Sequence, residues 1–354
     1  MVMKKYLMFL LILSFNIIVN GQELVIPSGA SFHVSQGVAL ILSEGTGLNV
    51  NSQNVSFDGN IKFTGNEEQT VSGSIPVNIN NLSVNNNGLI LENNLTINSE
   101  LTMQNGIINI QNNNLTIENS ADIVGNFSEN CMIVKDANGV FQRNVSNNGT
   151  YIFPIGDISG SADYSPAEID MLSGTYSDAN IAVDVTNSKF SQNNSTANYL
   201  NRYWDILASG ISNPQYDINL NYVSADIIGD ETEIYGAYYT DEWHLLNPVS
   251  SGTISATNMT EFGTFTGGEQ TALVGINNLS DNKIDIKGTE NGIFVNSNLN
   301  IKEISVFNIL GQKIYQQKKL SSNFINFNTN TETAVYFVRV LTDKGYFVKK
   351  VLIY

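Results

Sequence analysis

Residues 82–117 decide the fold, and they read LSVNNNGLILENNLTINSELTMQNGIINIQNNNLTI. Short apolar alternations recur in this stretch every six or seven residues, separated by turns rich in asparagine and glycine. They are Leu82-x-Val84, Leu89-x-Leu91, Leu95-x-Ile97, Leu101-x-Met103, Ile108-x-Ile110 and Leu115-x-Ile117. Alternation over so few residues is typical of a β-strand with one buried face.

Every third strand returns after nearly the same number of residues. Leu82 to Leu101 and Leu89 to Ile108 are each 19 residues apart, and Leu95 to Leu115 is 20. A fixed return length favours a repeat architecture, so we predict a right-handed parallel β-helix over 22–127 with about five turns stacked ~4.8 Å apart. Asparagine suits the corners because it tolerates left-handed backbone angles and hydrogen-bonds to nearby backbone. A β-sandwich of hairpins is the alternative, but it does not explain the constant return.

The pattern changes after residue 127. Between 128 and 272 the alternating segments lengthen, as in Tyr216–Tyr222, and aromatic residues concentrate. Long alternating strands with regular turn signals predict an antiparallel β-sandwich. Gly267-Gly268-Glu269-Gln270 is interpreted as a linker to the last module. Because the chain after the N-terminal segment contains no long amphipathic helical pattern, the predicted fold class is all-β.

Residues 273–354 contain a strand-turn-strand block that ends in Leu310-Gly311-Gln312-Lys313, an aromatic strand from Val335 to Val338, and a last strand with Lys349-Lys350. Together these features resemble the C-terminal sorting domain of cargo exported by the type IX (Por) secretion system. The module has about seven predicted strands, which is enough for a small immunoglobulin-like β-sandwich. The resemblance implies that the translocon recognises it. It also implies that Gly311, Val335, Tyr336, Lys349 and Lys350 matter for export. Gly311 suits a tight turn that needs a positive φ.

Two further blocks, 153–157 and 202–206, resemble a sandwich module found in cell-surface proteins that carry this sorting domain. Residues 1–21 look like a signal peptide, with Lys4-Lys5 before an apolar stretch from Tyr6 to Val19 and a cleavage site ahead of Gln22. The expected route therefore leads through the periplasm to the cell surface or the medium. No segment after the signal is apolar enough to span a membrane.

Charge is distributed unevenly along the chain. Residues 22–276 contain five Lys or Arg and twenty-seven Asp or Glu, a net of −22, whereas 277–354 has a net of +4. Such a negative surface repels phosphate backbones, so nucleic-acid binding is not expected. The acidic turns Asp157–Asp163 and Asp226–Glu231 could hold Ca²⁺ through carboxylate and carbonyl oxygens. No other cofactor or metal is expected.

The residue inventory offers little for catalysis. His33 and His244 are the two histidines, Cys131 is the single cysteine, and neither a zinc-ligand spacing nor a Gly-x-Ser-x-Gly motif is present. We therefore expect an adhesin-like or structural protein that is not an enzyme. The alternative is a carbohydrate-binding or polysaccharide-degrading surface protein, with Tyr203, Trp204 and Trp243 as a stacking platform for sugar rings.

Overall fold

The computed structural model of the protein describes residues 23–273, 284–289, 292–328, 334–342 and 345–353. The predicted signal peptide lies outside these residues. The chain divides into two compact units, one that ends at Val274 and one from Gly275 to Tyr354. Nearly all regular structure in the described residues is β-strand, which confirms the all-β prediction.

The first part of unit one is a parallel β-solenoid built from short strands. The strands of this stretch are β1 (Glu23–Ile26), β2 (Phe32–Val34), β3 (Ala39–Ser43), β4 (Gly47–Val50), β5 (Val55–Phe57), β6 (Asn60–Thr64), β7 (Gln69–Gly73), β8 (Val77–Asn85), β9 (Leu89–Leu91), β10 (Leu95–Asn105), β11 (Ile108–Asn109), β12 (Leu115–Ile117), β13 (Asp122–Gly125), β14 (Ile133–Val134), β15 (Phe141–Val145), β16 (Gly149–Phe153) and β17 (Ile155–Asp157). The ladders run β1-β4-β7-β9-β11-β14-β17 and β3-β6-β8-β10-β12-β15, with β2-β5 as a separate pair.

Residues that recur at the distances read from the sequence are paired with each other in the ladders. Leu82 pairs with Leu101, Leu89 with Ile108, and Leu95 with Leu115, all in parallel strands. These six side chains are at most 1% exposed, since the alternation points each of them into the space enclosed by the turns. The burial of residues aligned in this way forms a continuous core.

Asparagine at the corners acts mainly through its side-chain amide. Asn93 donates to the carbonyl of Gly73 at 2.9 Å, Asn105 to that of Asn86 at 2.7 Å, and Asn113 to that of Leu91 at 2.6 Å. Each bond joins one turn of the solenoid to the turn before it. The predicted left-handed asparagines are absent from residues 23–125, where the non-glycine residues with positive φ are Glu44 and Gln111. Asparagine is therefore favoured here because it satisfies carbonyl groups between turns.

The solenoid continues beyond the boundary predicted at 127/128. β15 pairs in parallel with β12, and β17 pairs in parallel with β14, so the ladders extend to residue 157. The other edge of β15 pairs with β19 (Ala167–Thr186) in antiparallel register. Antiparallel pairing thus covers the edge that the parallel stack would otherwise expose. The sequence pattern changes after residue 127 because the strands become longer, while the hydrophobic core continues through both parts.

An antiparallel sheet follows in the order β15, β19, β20 (Tyr199–Asn221), β25 (Thr264–Gly268), β22 (Tyr235–Tyr239) and β23 (Trp243–Pro248), and β24 (Thr253–Met259) also pairs with β20. Gly267 and Gly268 belong to a strand of this sheet and Gln270 to a helix, so the predicted linker is wrong. The Glu269 carboxylate accepts from the Thr196 amide at 2.9 Å, which fixes this segment to the loop between β19 and β20. The remaining elements are β18 (Asp163–Tyr164), 3₁₀ helices Ser224–Asp226 and Glu231–Glu233, β21 (Ile227–Ile228) and α1 (Gln270–Leu273).

Unit two is an antiparallel β module with its own hydrophobic core, which includes Ile293, Ile304, Val306, Val338 and Val340. Its described strands are β26 (Ile284–Thr289), β27 (Gly292–Phe307), β28 (Lys313–Asn328), β29 (Ala334–Thr342) and β30 (Gly345–Ile353). About seven short strands were expected from the sequence. β27 and β28 are 16 residues each and pass through register shifts, so apolar segments that looked separate are single long strands.

None of the helices in the described residues is both long and apolar enough to cross a membrane.

Candidate functional site

Strand β20 divides its side chains between the core and the outer face of the antiparallel sheet. Arg202, Trp204 and Ile206 are fully buried. Tyr203 and Asp205 alternate with them and are half-buried, and the next residue of that row is Leu207, which is 68% exposed. Strand periodicity sets this division, because successive side chains point to opposite faces.

Tyr203 and Trp243, two of the three predicted platform residues, meet on the outer face through Phe190. The Phe190 ring lies 5.2 Å from Tyr203, 5.7 Å from Tyr239 and 5.9 Å from Trp243, measured between centroids. Tyr239 and Trp243 also contact each other in an edge arrangement at 5.3 Å. We call these four residues the aromatic cluster. Tilted and edge arrangements at such distances are favourable ring contacts.

The third predicted platform residue, Trp204, does not belong to this cluster. Its side chain is fully buried, and its Nε1 donates to the Ser165 carbonyl at 3.0 Å. Trp204 therefore serves the core, and its assignment to a ligand platform is corrected. Adjacent residues on one strand cannot share a face, which separates it from Tyr203.

Exposure within the aromatic cluster is uneven. Trp243 is 8% exposed, with Leu273 of α1 and Ala237 in the same small apolar core. Phe190, Tyr203 and Tyr239 are half-buried. The accessible part of the cluster therefore comes mainly from these three residues. Together with Asp205 and Thr264, they combine apolar contact with hydrogen-bonding groups, as a sugar ring requires.

Sequence reasoning missed Phe190. It lies between β19 and β20, outside any alternating strand pattern, and no local signal assigns it to the aromatic cluster. Tyr239 stands in an aromatic segment, but only the pairing of β22 with β25 and of β25 with β20 places it near Tyr203.

The two acidic turns predicted as calcium ligands converge on Arg202. Its Nε donates to Asp226 at 2.6 Å, its NH1 to Asp157 at 2.6 Å and its NH2 to Asp163 at 3.1 Å. All four residues are buried. The guanidinium therefore stands where a cation between the two turns would stand.

Opposing effects set the protonation of this network. Burial disfavours charge on Arg202, but its hydrogen bonds to Asp226 and Asp157 and the negative charge of these carboxylates outweigh burial and raise the pKa of the guanidinium. Burial raises the pKa of Asp226, and the hydrogen bond from Arg202 opposes that shift. Among the described residues there is no group of three or more His, Cys, Asp or Glu side chains that could hold a metal ion. Calcium binding stays a prediction.

The remaining chemically versatile side chains lie apart from one another. His33 Nδ1 is 2.9 Å from the Ser56 hydroxyl on the solenoid. His244 stacks on Tyr238 with centroids 4.5 Å apart. Cys131 is buried, and burial raises the pKa of its thiol, which keeps it as the neutral thiol.

In unit two, Gly311 lies in the turn between β27 and β28 with φ of +76°, as the sequence predicted. The Asn308 side chain holds this turn, since its Oδ1 accepts from the amides of Leu310 and Gln312 at 3.0 and 2.9 Å. On the last two strands, Tyr336 is buried, Val335 is half-buried and pairs with Leu352, and Lys349 and Lys350 are exposed. The structure thus separates the predicted export residues into a turn, a core position and an exposed basic pair.

Comparison with known proteins gives one family match. Residues 274–354 match a domain of unknown function (DUF8694), and this match is confined to the C-terminal part of the chain. No curated protein matches the chain. Among solved structures, neural ectodermal development factor IMP-L2 is similar at 10% identity and a TM-score of 0.14, over 58% of this chain and 94% of that one.

Proposed function

We propose that the protein is a type IX secretion cargo displayed at the cell surface or released, and that it acts there as a non-enzymatic, adhesin-like binding protein. The proposal depends chiefly on unit two. That unit has its own apolar core, a turn fixed around Gly311 and an exposed Lys349-Lys350 pair on its last strand. These features fit a module that folds by itself and presents a basic strand to a translocon.

The arrangement of unit one supports a binding role. Arg202 is bound by three carboxylates, Cys131 is buried, and His33 and His244 lie on different sheets. Catalysis usually brings a nucleophile or base together with a group that orients it. Here these side chains are dispersed and serve the fold.

Two variants with the same change in charge test the export assignment. Lys349→Gln with Lys350→Gln removes the basic pair of β30, and Lys318→Gln with Lys319→Gln removes an exposed basic pair of β28 in the same sheet. We expect the first variant, like deletion of 277–354, to accumulate in the periplasm, and the second to reach the surface as the wild type does. Normal surface yield after the deletion would contradict the proposal.

Carbohydrate binding is a second candidate, favoured by the aromatic cluster. A glycan array with the mature chain should show binding that is weakened by Tyr203→Ala and Phe190→Ala. Tyr176→Ala is the control, because Tyr176 lies on the same sheet but bonds to Asn148 away from the cluster. A polysaccharide-degradation screen should show no turnover. Turnover abolished by replacing an Asp or Glu would contradict the non-enzymatic role.

A further inference from the structure

A cavity of about 210 Å³ lies in unit one, between the last turn of the solenoid and the antiparallel sheet. Buried apolar side chains line its inner part, among them Ile133, Phe141, Ile155 and Val183. Its rim is different in character and carries Lys135, Val140, Asp184, Asp205 and Leu207. The cavity opens to solvent on this side, where Val140 is 37% and Leu207 68% exposed.

The rim places two carboxylates side by side. Asp184 of β19 lies directly opposite Asp205 of β20 in the antiparallel register. Like charges in that position repel each other. Lys135 binds Asp184 at 2.5 Å, and Asp205 accepts from the Thr264 hydroxyl at 2.6 Å. The rim therefore combines one lysine with two carboxylates.

The surroundings strengthen this repulsion. The Asp184 side chain is 26% exposed, and the apolar walls reduce the screening that water would provide. Burial raises the pKa of Asp184, the ion pair with Lys135 lowers it, and the charge of Asp205 raises it. A second cation at the rim, placed against Asp205, would relieve the repulsion between the two carboxylates.

We propose that this cavity binds a small apolar molecule that carries one ammonium group, with its chain or ring inside and its charge between Asp184 and Asp205. A cavity of about 150 Å³ accommodates benzene, so the present one accepts a ring or a chain of roughly six to eight carbons. Charge complementarity selects the ammonium. The net charge of −22 over residues 22–276 also concentrates small cations near the surface. The inference does not depend on the proposed export route.

Titration calorimetry of the mature chain with hexylamine tests the proposal. We expect a dissociation constant of about millimolar or lower, given the small number of atoms in the ligand. Hexan-1-ol, which keeps the tail but has no charge, and methylamine, which keeps the charge but has no tail, should each bind about tenfold more weakly or worse. Equal binding of hexylamine and methylamine would show general attraction to an acidic surface and would overturn the proposal.

Two variants locate the site. Asp205→Asn keeps the volume of the side chain and should weaken hexylamine binding about tenfold. Asp217→Asn is the matched control on the same strand, where the carboxylate accepts from the Asn258 amide away from the cavity, and it should bind as the wild type does. Ala182→Phe should fill the cavity and abolish binding. If Ala182→Phe does not fold, Asp205→Asn decides, and unchanged binding by it would overturn the proposal.

Discussion

The Arg202 guanidinium donates from Nε to the Asp226 carboxylate at 2.6 Å in the interior of unit one, where Arg202 is 0% and Asp226 2% exposed. Asp157, at the end of the last solenoid strand, and Asp163 of β18 bind the other two nitrogens. One side chain thus joins the solenoid, the antiparallel sheet and the 3₁₀ helix Ser224–Asp226. A buried charge with several partners fixes the relative position of the segments that supply them.

Replacing Arg202 by Met should destabilise unit one by about 3–5 kcal/mol, because three buried carboxylates would lose their cation. Urea unfolding of residues 22–354 measures the loss. Lys62→Met, the control on β6 of the solenoid, should change the free energy of unfolding by less than about 0.5 kcal/mol. Equal losses in the two variants would contradict the role assigned to the network.

Two neighbouring positions of β10 should differ in how well they tolerate a charged residue, because one faces the core of the solenoid and the other faces outward. Leu95 is 1% exposed and Thr96 is half-buried on the outer side. Leu95→Asp should cost several kcal/mol, about 3 or more, because it places an unpaired charge in the core. Thr96→Asp should cost less than about 1 kcal/mol. Thermal unfolding compares them, and similar midpoints would be incompatible with the observed facing of the strand.

Alkaline pH should weaken the fold through Tyr164. Burial raises the pKa of Tyr164 from 10.0 to about 12. The stability that depends on the neutral phenol is complete below pH 10, where Tyr164 is neutral in both states. It is lost as pH rises toward about 12, because the unfolded chain ionises first. Tyr164→Phe should therefore reduce the slope of unfolding free energy against pH between these values. An unchanged slope would show that Tyr164 does not contribute.

Replacing either of two adjacent aromatic residues of β20 should lower the free energy of unfolding, but by different amounts. Trp204→Ala removes a fully buried ring and its bond to Ser165, so we expect a loss of about 3–5 kcal/mol in urea unfolding. Tyr203→Ala opens only the outer aromatic cluster and should cost less than half as much. If both variants lost the same stability, the division of β20 into a core face and an outer face would be wrong.

Gly311→Ala should weaken the turn between β27 and β28 and lower the surface yield of the protein. The φ of +76° disfavours any residue with a Cβ by about 1 kcal/mol, while no other atom obstructs the site. Gly160→Ala is a matched control, because Gly160 has φ of +95° and equally open surroundings but lies in unit one. Equal surface yields of the two variants, by fractionation and blotting, would contradict a role of the turn in export.

The sequence by itself determined the all-β class, the solenoid and its register. Leu82 and Leu101, Leu89 and Ile108, and Leu95 and Leu115 recur at 19 or 20 residues because adjacent turns have nearly the same length in this stretch. Spacing along the chain therefore reports pairing in space there. It likewise determined the positive φ of Gly311, which depends only on local backbone geometry.

Tertiary structure alone decided where the solenoid ends and which side chains meet. Its last turns are longer, since Ile108 pairs with Ile133 and Leu115 with Phe141, 25 and 26 residues apart, so the repeat is no longer visible in the sequence although the ladders continue to β17. Asp157 and Asp226 bind one guanidinium, and Phe190 covers Trp243, across separations that follow no period. Antiparallel pairing between distant strands depends on loop lengths and on packing against the core, and alternation gives the face of a residue but not its neighbour across the sheet.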